Sequence, residues 1–156
     1  MTDLELAAKK TARHLAALGL VPMLALAVLA AMGGPNWARV TLVSYAMLIL
    51  AFMAGTLWAR LIYAQSSTGQ GRVQLIASNA LVLAAWPALM MSAPVASVWL
   101  GALFAIHLGF DRPWHSPSGP GWYRHMRLWV SATVIASLIL GGLIGLGVDF
   151  WSSTTP

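Results

Sequence analysis

Hydrophobic residues in this chain fall into five long runs, at about 15–32, 40–63, 73–92, 94–110 and 128–148, with polar residues crowded into the breaks between them. A helix needs roughly 20 apolar residues to cross about 30 Å of hydrocarbon, so each run has close to the length of a membrane span. No run alternates with the two-residue period of a half-buried strand. The pattern therefore predicts an all-α fold, an integral membrane bundle of five transmembrane helices, with residues 1–156 forming a single membrane domain.

The breaks carry turn chemistry. Gly33-Gly34-Pro35-Asn36 separates the first two runs, Gln65 to Gly71 the next two, and the long stretch from Asp111 to His125, with three prolines, precedes the last. The third and fourth runs are divided only at Ser92, Ala93 and Pro94, which predicts a tight helical hairpin. Pro22 and Pro87 fall inside runs, where a proline removes a backbone donor and bends a helix. Lys9, Lys10 and Arg13 before an apolar run also fit a signal peptide; we expect the segment to be retained as the first span.

Composition agrees with lipid exposure. Hydrophobic residues make up 59% of the chain and charged residues 8%, with a mean hydropathy of +0.75, too few charges to cover a soluble surface of this size. The net charge of +5 could indicate nucleic acid. The basic residues, however, flank the spans, so we expect no nucleic-acid partner. Lys9, Lys10, Arg13, Arg60, Arg72, Arg112, Arg124 and Arg127 map to one side and only Arg39 to the other. By the positive-inside rule the N-terminus is expected to be cytoplasmic and the C-terminus external. Tryptophan prefers the headgroup level, and Trp58, Trp114, Trp122 and Trp129 form an inner belt while Trp37, Trp86, Trp99 and Trp151 form an outer one. A chain without cysteine has no disulfide, thiolate metal site or thiol nucleophile.

Small residues four apart let helices approach closely in lipid. They recur at Ala51, Gly55 and Ala59; at Ala80, Ala84, Ala88 and Ser92; at Ser97, Gly101, Ala105 and Gly109; and at Thr133, Ser137, Gly141 and Gly145. These faces suit packing within the bundle or against a partner, and Gly141 to Gly145 is the best candidate for a partner face.

Ionisable groups inside a membrane are costly and raise the question of function. His107 and Asp111, four apart, share a face near the inner end of the fourth span, and with Arg60 and Asn79 they outline a polar inner vestibule that could hold a ligand. Each also has a structural reading: Arg60 can extend to lipid phosphates, Asn79 can bond across helices, and His107 can rest at the headgroup level. The stretch 111–127 is read as an interfacial loop, with Trp114, Trp122 and Tyr123 in the headgroup layer and Arg124 and Arg127 on lipid phosphates, or as a docking loop for a partner. His14, His107, His115 and His125 all map to the inner side, yet only His14 and His107 could approach the facing geometry that haem requires. No HExxH, GxSxG, Walker A or GxGxxG arrangement is present. We therefore expect no cofactor, no metal and no enzymatic activity.

Gly19-Leu20-Val21-Pro22, the stretch YAMLILAFMAGTLW from Tyr45 to Trp58, and the run Trp122-Tyr123-Arg124-His125-Met126-Arg127 resemble the small multi-spanning family of unknown function that includes the animal mitochondrial transmembrane protein sixty-nine. The resemblance covers nearly the whole chain and implies an inner-membrane setting, bacterial or mitochondrial, without an established activity. Where that family often has a histidine before the tryptophan of the second helix, this chain has Leu57, which weakens any implication of proton or metal chemistry on that helix. The reading that results is an accessory or structural subunit of an inner-membrane assembly of respiratory or energy-transducing type, multi-pass in a bacterial inner membrane, in contact with lipids and other membrane subunits. The alternative is a small transporter or a lipid- or quinone-binding protein that uses the inner vestibule.

Overall fold

A computed structural model describes residues 3–63, 69–111 and 121–144, with side chains over 6–58, 72–110 and 121–143. Among these residues the chain forms five α-helices: α1 (Asp3–Ala31), α2 (Asn36–Tyr63), α3 (Gly69–Ala85), α4 (Ala93–Asp111) and α5 (Gly121–Ile139). A 3₁₀ turn, Trp86–Met90, follows α3, and a π turn, Leu140–Ile144, follows α5. All five helices contain a segment long and apolar enough to cross a membrane: Leu6–Ala31, Asn36–Trp58, Arg72–Met90, Ala93–Phe110 and Gly121–Leu143. Large side chains such as Phe52, Ile76, Leu83 and Met90 point outward, as they do where lipid rather than water is the solvent.

Two helices begin well before the apolar run that signals them. The first run starts near residue 15 but α1 starts at Asp3, because the preceding Leu-Glu-Leu-Ala-Ala-Lys-Lys is made of strong helix formers with no breaker. The fifth run starts near residue 128 but α5 starts at Gly121, directly after Pro120. The second difference matters for function. Residues 121–127, expected to lie in an interfacial loop, are two turns of transmembrane helix.

Gly33 ends α1 in a left-handed conformation, φ 76°, which glycine adopts without a Cβ clash. Gly34 then donates to the Leu29 carbonyl at 3.0 Å and Gly33 to that of Ala30 at 3.3 Å, so carbonyls that the helix end leaves unpaired are satisfied. Pro87 terminates α3 rather than kinking it, since the helix gives way to the 3₁₀ turn at Trp86. The Ala84 carbonyl near that end accepts the indole N–H of Trp99 from α4 at 2.7 Å. On α1, whose course continues through Pro22, the carbonyl of Gly19 accepts the hydroxyl of Tyr45 from α2 at 2.7 Å. Polar side chains thus meet backbone carbonyls near both prolines.

The core lies where α1, α2, α4 and α5 converge. Met23, Ala27, Leu42, Ala46, Leu50, Leu100, Phe104, Val134 and Leu138 are buried there, and α3 closes one side against α2 and α4. Alanine at the contact points lets backbones approach, which in lipid drives association through packing rather than through expulsion of water.

Candidate functional site

The inner halves of α2, α4 and α5 enclose a polar cluster centred on Arg127. Its side chain is 4% exposed and that of His107 is 0% exposed. Arg127 lies six residues into α5, about 9 Å along the axis, and His107 four residues before the end of α4, about 6 Å. Both are therefore inside their spans.

The guanidinium reaches two other helices. Nη2 donates to the Met53 carbonyl of α2 at 3.2 Å and meets Nε2 of His107 on α4 at 2.9 Å. Nη1 donates to the Thr56 hydroxyl on α2 and to the Tyr123 hydroxyl at 3.2 Å. The Tyr123 ring lies 5.7 Å from the guanidinium carbon, within cation–π range. Thr56 passes its own proton back to the Met53 carbonyl at 2.7 Å. One turn deeper, Ser131 directs its hydroxyl at the Met53 sulfur, 3.8 Å away. Tyr123, Arg127 and Ser131 are four apart and so occupy one helix face. Planar guanidinium suits this arrangement, because its fork presents several donors in fixed directions at once.

Bonds towards the inner ends extend this network to α3. Ser78 bonds the Leu75 carbonyl and accepts the Trp58 indole N–H at 3.1 Å, and Gln74 donates to the Phe110 carbonyl at 3.2 Å, near the end of α4. Three helices are tied at Arg127 and the fourth is tied beside them.

The expected vestibule residues do not assemble as a group. His107 faces the interior, away from the headgroup layer. Asn79 is exposed and bonds the Leu75 carbonyl of its own helix at 3.0 Å; the inward-facing residue is its neighbour Ser78. Arg60 and Asp111 belong to α2 and α4 by their backbone, and their side chains lie outside the described set, as do Trp114 and Gly145. Arg127 corrects the expectation of a phosphate-binding surface arginine, since it points into the bundle. Trp122, Tyr123 and Arg124 are half-buried on the first turn of α5, with the rings of Trp122 and Tyr123 edge to face at 5.8 Å. Gly141 is also corrected as a partner face: a Cβ there would stand 3.1 Å from Cα of Ala27 on α1 and 2.5 Å from a Leu42 methyl on α2. That surface is already occupied from within.

The family model described as Protein of unknown function (DUF3429) matches residues 8–143. The chain belongs to the DUF3429 family. No curated protein and no solved structure matches it. The matched stretch in this DUF3429 protein includes every residue of the Arg127 cluster, from Met53 to Ser131.

Sequence reasoning missed Thr56, Met53 and Ser131, and misplaced Arg127. The signal that finds them is the four-residue spacing of Tyr123, Arg127 and Ser131, which is visible only once the last helix is started at Gly121.

Proposed function

We propose that this DUF3429 protein is a non-enzymatic accessory or structural subunit of an inner-membrane protein assembly, respiratory or energy-transducing in kind, in a bacterial inner membrane. One observation carries the reading. On α4, Gly101 and Gly109 have open space where a side chain would be, with nothing within 4 Å of a built Cβ, and Ala105 between them is exposed. Positions 101, 105 and 109 share one face, and above them an open apolar groove of about 470 Å³ continues past Val98, Trp99 and Ala102 to Leu143. A smooth face of this kind suits a helix from another membrane subunit. The polar side chains that might do chemistry are meanwhile turned inward and bonded to one another. The concentration of basic residues at one end supports the inner-membrane setting, as does the family resemblance read in the sequence. Extraction in mild detergent followed by native mass measurement tests the reading: a defined particle containing other subunits is expected, and a strictly monomeric chain with no co-purifying protein overturns it.

A second reading has its own observation. A buried arginine flanked by Tyr123, Thr56 and His107 offers donors suited to a quinone carbonyl or a lipid headgroup, as a small transporter or lipid- or quinone-binding protein would require. Organic extraction of the purified protein would then yield stoichiometric quinone or one lipid class, reduced in Arg127→Lys. The absence of such a molecule from the wild type removes this reading.

A further inference from the structure

The contact between Arg127 and His107 fixes a protonation state. A guanidinium carries only N–H donors and stays charged at every accessible pH. At 2.9 Å between Nη2 and Nε2 one atom must accept, so Nε2 holds the lone pair. His107 is therefore a neutral imidazole with its proton on Nδ1. Protonation at Nε2 would set two N–H groups and two positive charges against each other across that distance, in surroundings of low dielectric where repulsion is strong. The contact cannot survive it.

We propose that Nε2 of His107 is a proton-uptake site, and that protonation there parts the inner ends of α4 and α5. The inference stands apart from the assembly reading above and uses only the Arg127–His107 geometry. Around the imidazole, α5 contributes Arg127 and Tyr123, and α2 contributes Thr56 and the Met53 carbonyl, which do not titrate. From α3, Gln74 reaches Phe110 and Arg72 is exposed. Arg127 keeps its charge throughout and tyrosine titrates near 10, so among these groups His107 alone changes charge between about pH 5 and 8. Asp111 follows His107 by one helical turn and shares its face by spacing, so its titration must be separated in the test.

The chain has no cysteine, so a Gly109→Cys/Trp129→Cys variant places one spin label on α4 and one on α5, both at exposed positions. In lipid nanodiscs the distance distribution is expected to lengthen between about pH 8 and about pH 5. Adding His107→Gln, whose amide oxygen can accept from Arg127 but does not titrate, should abolish the change, and adding Asp111→Asn should leave it. An unchanged wild-type distribution, a response that persists in His107→Gln, or a response lost in Asp111→Asn overturns the proposal. Nitrogen-15 spectra of the histidine-labelled chain near pH 8 supply a readout independent of helix motion. The signal that disappears in His107→Gln must come from a ring protonated at Nδ1 and bare at Nε2; a proton on Nε2 also overturns the proposal.

Discussion

Gly142 on the π turn lies directly against Ser97 of α4: a Cβ built on the glycine would fall 2.4 Å from the Ser97 Cβ and 2.1 Å from its Oγ. Adjacent Gly141 faces α1 and α2 instead. Two consecutive glycines thus serve two different interfaces, and the helix widens to a π turn where they do so. Gly142→Ala is expected to lower stability by about 1–3 kcal/mol, the usual range for overpacking, read as a fall in the thermal unfolding midpoint in detergent. Ser97→Ala keeps the offending Cβ and should not rescue it, whereas Ser97→Gly should recover most of the loss. Gly101→Ala, one turn further along α4 in open space, should be neutral or gain up to about 1 kcal/mol from helix propensity.

Arg127→Lys should be far from conservative. An ammonium cannot reach the Met53 carbonyl, Thr56, Tyr123 and His107 together, and acceptors left buried without a donor cost about 1–3 kcal/mol. We expect a clear drop in unfolding midpoint for Arg127→Lys. Arg124→Lys, three residues away and half-buried, should change stability by less than about 0.5 kcal/mol. Equal effects at the two positions would remove Arg127 from the centre of the fold.

Trp99→Phe and Tyr45→Phe each delete one donor to a helix carbonyl while keeping most of the ring. Interhelical hydrogen bonds in membranes average about 0.6 kcal/mol, and we expect each substitution to cost about that much. The pair should be additive, because the two bonds serve different helix pairs, α4 to α3 and α2 to α1. Denaturant titration of the single and double variants would check both statements.

The charge asymmetry makes a topological prediction. A cysteine placed before Lys9 should react with a membrane-impermeant maleimide only after the cytoplasmic face is opened. A cysteine at Thr154 should react in intact cells. Labelling of both from the same side contradicts the orientation inferred from the basic residues.

Helix number and the approximate span limits were legible in the sequence because lipid imposes a simple rule: every backbone group in hydrocarbon must be satisfied within its own helix, so apolar length maps onto helices. The break at Gly33-Gly34-Pro35 was equally legible, since each residue there has a strong backbone preference. Apolarity says little about where a helix begins in the headgroup region, and the last helix was accordingly started seven residues late. That difference hid the face shared by Tyr123, Arg127 and Ser131 and made an internal arginine look like a lipid anchor.

The sequence by itself determined that this is a five-helix chain made for a membrane, because composition and run length are local properties that no partner helix can alter. Only the tertiary structure decided which polar residues face one another. Side-chain direction depends on helix rotation, and rotation is set by how neighbouring helices pack. Thus His107 meets Arg127 from a different helix, Asn79 turns back on its own helix, and Gly141 is filled from within while Gly101 and Gly109 stay open.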